Sequence, residues 1–194
     1  MKMKKVAITG GIGSGKTYIS KMFAELGVPI YNADQKANYI IKSNIVVKKS
    51  LINVFGSDSF INNELNKKHI SKIIFNDKSK LRLINSIVHP LVNHDYNNWL
   101  LDQKYSYTIY ESAIIYETDK MNNFDKIIGV ISDNDIKISR LLTRGMEKLS
   151  ITNIMKNQAD DTEIIKISDF LIYNNLNNNL NKDVMIIHSN LLDH

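Results

Sequence analysis

Apolar residues along the chain fall into two rhythms. Lys5-Val6-Ala7-Ile8-Thr9 is a short apolar run that ends at a pair of glycines, and from Lys16 onward Ile19, Met22, Phe23 and Leu26 recur at helical spacing until Gly27. The pattern predicts strand, loop, helix. Val28-Pro29-Ile30-Tyr31 gives a second short strand, so the first thirty or so residues form a β-loop-α-β unit whose strands run parallel. Asn32-Ala33-Asp34 then falls at the carboxyl end of that strand, the edge where open α/β sheets bind ligands.

From about Asp34 to Lys104 the pattern is mostly helical, with a break at Phe55-Gly56 and a helix start or kink at His89-Pro90. Tyr107 to Tyr110 and Lys126 to Ile131 are β-branched or aromatic and predict a third and a fourth strand. Asp135 to Leu149 reads as one basic helix carrying Lys137, Arg140, Arg144 and Lys148. Phe170 to Tyr173 predicts a last strand, followed by the polar tract Asn174 to Asn181 and a C-terminal segment without a clear period. Strands alternating with helices give an α/β chain with a parallel sheet flanked by helices.

Composition narrows the picture. The chain has 194 residues, 43% of them hydrophobic, enough for a sizeable core in a single domain. It has no run of eighteen apolar residues, and Met1-Lys2-Met3-Lys4-Lys5 leads into too short an apolar stretch for a signal peptide. A soluble, cytoplasmic protein without a membrane partner is expected. The absence of cysteine removes disulfides, thiolate catalysis and the common zinc sites. A net charge of +5 comes from scattered lysines with no aromatic-basic module, which argues against nucleic acid and fits solvated lysines or a small polyanionic substrate. A monomer or weak homo-oligomer is expected.

Gly10-Gly11-Ile12-Gly13-Ser14-Gly15-Lys16-Thr17 matches G-x-x-x-x-G-K-[ST] between the first strand and the first helix. Glycines let the backbone approach phosphates closely, and amides from Gly13 to Thr17 at a helix N-terminus favour an anion. Gly11, Ile12, Gly13, Ser14, Gly15, Lys16 and Thr17 are therefore expected to cradle a nucleotide triphosphate. Lys16 reaches the β- and γ-phosphates, and the Thr17 hydroxyl ligates magnesium. ATP and Mg2+ follow as the expected cofactors of a P-loop NTPase-type fold.

The loop does not name the acceptor. Asp34 is placed to take a proton from an acceptor hydroxyl, or else to cap the following helix. Arg140 and Arg144 lie four apart on one helical face, either closing over the transferring phosphate or forming an exposed basic face. His89 is a donor candidate for the substrate, against packing beside Pro90. Glu111 and Glu117 flank Ser112 to Tyr116: Glu111, past the third strand, is a substitute for the acidic magnesium-holding residue of a second nucleotide motif, and Glu117 a candidate for substrate.

Four segments together resemble dephospho-coenzyme A kinases. Ala7 to Thr17 is close to that family's "LTGGIGSGKS", and Leu26 to Asp34 is similar to its "LG...DAD" with Asn32 in place of the first Asp. His89-Pro90-Leu91 matches an "HP" motif, and Arg140 to Arg144 with Asn157-Gln158 resembles the family's lid, "R-x-x-x-R" and a following Gln. Asp169 to Asn175 resembles its "D..I.N" element near the adenine site. Gly145, Ile154 and Ala113 depart from an Asp, an Arg and a Pro of the family pattern.

The resemblance implies transfer of the ATP γ-phosphoryl group to the ribose 3′-hydroxyl of dephospho-coenzyme A. It makes Lys16, Asp34, Arg140 and Arg144 catalytic, Asn175 nucleotide-binding, and Asp34, His89 and Glu117 acceptor-binding. One domain over residues 1–194 is expected: a core from 1–34, 105–135 and 165–194, a helical acceptor-binding region at about 35–104 and a small helical lid at about 136–164. The rivals are another P-loop nucleoside, nucleotide or small-molecule kinase, and an ATP-binding regulatory module with no acceptor.

Overall fold

The computed structural model describes residues 3–116, 121–176 and 178–192, apart from the side chains of 75, 76 and 78. In chain order its elements are β1 (Lys4–Thr9), α1 (Lys16–Glu25), β2 (Ile30–Asn32), α2 (Ala33–Ser43), α3 (Ile45–Phe55), β3 (Phe60–Ile61), β4 (Glu64–Leu65), α4 (Lys67–Asn76) and α5 (Lys78–Leu101). There follow β5 (Tyr107–Glu111), β6 (Lys126–Ile131), α6 (Asn134–Thr143), α7 (Lys148–Asn157), α8 (Asp161–Ile167), β7 (Phe170–Tyr173) and α9 (Leu180–Leu192). They divide into two compact units, residues 1–32 with 103–194, and residues 33–102.

The first unit is built on a five-stranded sheet of order β2-β5-β1-β6-β7 in which every neighbouring pair is parallel. β1 and β2 run parallel as their sequence predicts, with β5 inserted between them: Val6 pairs with Ile109 and Ile30 with the same residue. Central β1 is buried on both faces from Val6 to Thr9, which is why it reads as an apolar run rather than an alternation.

Alternation sorts the two faces. Val6, Ile8, Ile128, Val130 and Ile172 meet Ile19 and Phe23 of α1 and Val184, Ile187 and Leu191 of α9 in one buried cluster. On the other face Gly129 makes room for Ile164 of α8, to whose side chain a Cβ there would come within 3.0 Å. Each fully buried aliphatic side chain contributes roughly 1.5–3 kcal/mol. The segment after the Asn tract, which has no clear period, is α9, whose buried face closes this cluster.

The single helix expected over Asp135 to Leu149 is two. α6 ends at Thr143, and Gly145, at φ 80°, turns the chain: its N–H donates to the Leu142 carbonyl and that of Met146 to Leu141. These two bonds make a Schellman C-cap, which the unbroken spacing of apolar residues conceals.

The second unit holds α2 to α5 and a small antiparallel hairpin, β3 with β4. The hairpin turns on Asn62 and Asn63, both at positive φ (49° and 68°), as a two-residue primed turn requires. Other polar residues in this unit cap helices: Asn44 accepts from the N–H groups of Val46 and Val47, Asn66 from that of His69, and Asp77 from that of Ser79. His89-Pro90 does not begin a helix, because α5 runs through it for 24 residues. Lys36 of α2 pairs with Asp95 of α5 at 3.0 Å, a half-exposed bridge worth about 0.2–1 kcal/mol. Among the described residues no helix is long and apolar enough to cross a membrane.

Tyr107 on β5 is fully buried, and its hydroxyl lies 2.6 Å from Nδ1 of half-buried His188 on α9. Burial, with a smaller contribution from Tyr105, raises the Tyr107 pKa, so the phenol keeps its proton at neutral pH. Burial also lowers the His188 pKa. A histidine whose folded pKa is depressed favours the fold in its neutral form. That contribution is present above the unfolded value, about 6.5, and is lost as pH falls through the folded one. The expected outcome is that the Tm difference between the wild type and His188→Gln shrinks between about pH 7.5 and pH 5. Thermal melts by circular dichroism check this, and a difference that grows on acidification contradicts it.

Candidate active site

The strand-to-helix connection from Gly10 to Gly15 lies at the carboxyl end of β1, in the middle of the sheet. Its turn is closed by the Ser14 N–H on the Gly11 carbonyl at 3.2 Å, and Gly15 caps α1 without contributing a side-chain acceptor. The first-turn N–H groups and the helix dipole are thereby directed into the loop, the arrangement that suits an anion. Buried Lys16 reaches back, its Nζ donating to the carbonyls of Gly10 at 2.8 Å and Gly11 at 3.2 Å. The Ser14 hydroxyl is buried and has no hydrogen-bond partner among the described residues.

Thr17 is one residue further into α1, and its hydroxyl donates to Oε1 of Glu111 at 2.5 Å. Glu111 ends β5 beside β1, is 3% exposed, and stands in register with Ile8 on one side and Asn32 on the other. A hydroxyl and a carboxylate held together at the mouth of a phosphate loop are hard oxygen donors of the kind magnesium takes. The expectation that Glu111 substitutes for the acidic residue of a second nucleotide motif has this contact in its favour.

The outer side of the loop is held by residues from later in the chain. Gln158, the C-cap of α7, accepts the Ile12 N–H at 2.7 Å. Arg140 on α6 directs Nη1 at the carbonyls of Gly13 and Ser14, at 3.3 and 3.4 Å, and at the Ser132 hydroxyl at 3.2 Å. Its Nη2 reaches the Asn174 carbonyl at 2.9 Å and the Asn174 Oδ1 at 3.2 Å. Burial, and then the charge of Arg144, lower its pKa, but a guanidinium starts so high that it stays charged at neutral pH. Asn174 donates from Nδ2 to the Ser14 carbonyl at 2.8 Å.

Arg140 is therefore engaged with the loop backbone, whereas Arg144, the C-cap of α6, is exposed. Asn175 accepts from the Ser132 hydroxyl at 3.2 Å and the Asp133 N–H at 3.0 Å, so of the two asparagines it is Asn174 that touches the loop. Lys137, 4% exposed, pairs with both carboxylate oxygens of Asp161, at 3.0 and 2.8 Å, and fastens α6 to α8. Between Gly11-Ile12, α6 and α7 lies a cavity of about 490 Å³ bordered by Lys137, Met155, Gln158 and Asp161.

The comparison with known proteins agrees with this geometry. The dephospho-CoA kinase family model matches residues 4–180. The chain belongs to the dephospho-CoA kinase family. A dephospho-CoA kinase from the gamma-proteobacterium EBAC31A08 is 32% identical over 191 residues, covering 97% of each chain. One from Fusobacterium nucleatum is 32% identical over 179 residues, 91% of this chain and 92% of that one. Among solved structures, a dephospho-CoA kinase from Campylobacter jejuni superposes with a TM-score of 0.68 at 18% identity, covering 99% and 98%. A shikimate kinase from Acinetobacter baumannii in complex with shikimate reaches 0.55 at 10% identity, covering 99% and 94%. The fold is that of P-loop kinases, and the chain is a kinase of this family.

The remaining expected residues are in the second unit or undescribed. Asp34 is half-buried in the first turn of α2, two residues past Asn32, inside the helix rather than at the residue before it. His89 is half-buried within α5. Glu117 lies outside the described residues. Sequence reasoning passed over Asn174 because it opens a tract of polar residues, although its place just past the end of a parallel strand is where ligand-side residues gather.

The turn between α6 and α7 depends on Gly145. Among the described residues, its chain neighbours aside, nothing lies within 4 Å of where its Cβ would be, so the cost of a side chain there comes from the left-handed backbone. Gly145→Ala is expected to destabilise the protein by about 1 kcal/mol and Gly145→Asn by less. Urea unfolding of both variants checks the ranking, and an alanine variant as stable as the wild type contradicts it.

Proposed function

We propose that the chain catalyses transfer of the γ-phosphoryl group of ATP to the ribose 3′-hydroxyl of dephospho-coenzyme A, giving coenzyme A and ADP in a cytoplasmic setting. The observation that carries the reading is the Thr17 hydroxyl held on buried Glu111 beside Lys16, at the open end of a phosphate loop. Family membership over residues 4–180 supports the choice of acceptor.

In this reading the loop amides bind the triphosphate and Lys16 exchanges its backbone acceptors for β- and γ-phosphate oxygens. Thr17 and Glu111 are the residues that would hold magnesium, Glu111 directly or through water. Magnesium, when bound, neutralises charge on the β- and γ-phosphates. The 3′-oxygen forms a bond to the γ-phosphorus while the bond to the bridging oxygen of ADP breaks, and the hydroxyl proton passes to the Asp34 carboxylate. Arg140 holds the Gly13-Ser14 backbone and Arg144 brings a second positive charge from the end of α6. The transition state is loose, so positioning and charge stabilisation provide most of the acceleration. His89 and Glu117 are assigned to the acceptor.

Lys16→Ala is expected to lower kcat by about 10²–10³-fold. Asp34→Asn is expected to lower kcat by about 10²-fold or more with ATP affinity little changed. Coupled ADP release with dephospho-coenzyme A, nucleosides and nucleoside monophosphates as acceptors measures both. Near-normal turnover by a folded Lys16→Ala protein, or turnover with a nucleoside in place of dephospho-coenzyme A, contradicts the assignment. A loss of ATP binding alone in Asp34→Asn makes Asp34 structural.

A further inference from the structure

Asn174 is the first residue past β7, 5% exposed, and the only residue of its polar tract whose side chain bonds the phosphate loop among the described contacts. Its carboxamide has one orientation that satisfies both neighbours. Nδ2 must face the Ser14 carbonyl, which only accepts, and Oδ1 must face the Arg140 guanidinium, which only donates. Its main-chain carbonyl accepts from Arg140 and from the Ser132 hydroxyl, and its N–H donates to Ile131 at 2.7 Å, so the residue itself is fixed to the sheet.

The loop carries a matching mark. Gly15 is at φ 98°, and a Cβ there would lie 1.9 Å from Asn174 Nδ2. The last glycine of the loop is therefore required twice, by its backbone angle and by the amide of Asn174 pressed against the Ser14-Gly15 peptide. A carbonyl held from outside fixes the plane of its peptide, and with it the direction of the Gly15 N–H on the other side.

We propose that Asn174 is a positioning residue for the phosphate loop: its side-chain N–H, bonded to the Ser14 carbonyl, keeps the Gly15 amide turned toward the triphosphate. The inference rests on the reading of the loop as an ATP site. It separates two roles of one side chain, since the contact with Arg140 uses the oxygen and the contact with the loop uses the nitrogen.

Asn174→Ala removes both contacts without adding charge. Asn174→Asp keeps the shape and the acceptor for Arg140 while removing the donor. Full-length wild type and both variants are compared by calorimetric titration with Mg–ATP, by KM for dephospho-coenzyme A, and, without nucleotide, by amide hydrogen exchange of residues 10–17. Both variants are expected to bind Mg–ATP about tenfold more weakly. Exchange should quicken in residues 10–17 but not in β1, β5 or β6, and the acceptor KM should stay within about twofold of the wild type. ATP affinity and loop exchange in Asn174→Ala equal to the wild type overturn the proposal. So does an Asn174→Asp protein that behaves as wild type while Asn174→Ala does not, because the Arg140 contact is then what matters. Should Asn174→Ala fail to fold, loop exchange in Asn174→Asp decides, since it is read without nucleotide and so carries no repulsion between the new carboxylate and the triphosphate. A wild type that binds no Mg–ATP sinks the loop reading itself, a different failure.

Discussion

A phosphate loop works by leaving backbone N–H groups pointed at an anion, which means the loop cannot satisfy itself by folding into ordinary secondary structure. Something else must hold it open. Here that constraint is met from the outside: Gln158 takes the Ile12 N–H, Arg140 takes the Gly13 and Ser14 carbonyls, and Asn174 takes the Ser14 carbonyl again. These three side chains hold the loop from its outer side, at the amino end of α1.

The source of those three residues links fold to function. They come from α6, from the end of α7 and from just past β7, so the second half of the first unit braces the connection made by its first seventeen residues. The parallel order β2-β5-β1-β6-β7 makes this possible, because it puts β1 at the centre and the carboxyl ends of β5, β6 and β7 beside its loop. The same topology delivers Glu111 to Thr17 from a strand 94 residues away. Buried Lys137 paired with Asp161 then ties α6 to α8, which itself packs on Gly129 of β6.

Much of this was legible in the sequence, for reasons that can be stated. The strands at Lys126 to Ile131 and Phe170 to Tyr173 appear where their apolar runs predict them, because buried parallel strands are continuous and bounded by polar turns. The loop was legible because its glycines and lysine have fixed tasks. What escaped was set by distance or by brevity. The hairpin of β3 and β4 has two-residue strands, too short for any alternation to register, and its signal was the pair Asn62-Asn63. The break between α6 and α7 was hidden because Leu141, Leu142 and Leu149 continue a helical spacing across Gly145. The tie between Asn174 and Ser14 spans 160 residues, and no local pattern encodes it. That an asparagine tract begins with a buried residue bonded to Ser14, Ile131, Ser132 and Arg140 is knowledge only the fold supplies.

Whether the connection between β1 and α1 encloses a triphosphate is decided by competition between phosphate chains of different length. Purified full-length protein is titrated calorimetrically with ATP in magnesium, then again with inorganic tripolyphosphate or with AMP present in excess. Tripolyphosphate is expected to displace ATP, and AMP far less. Equal displacement by AMP, or no heat from ATP at all, would contradict it.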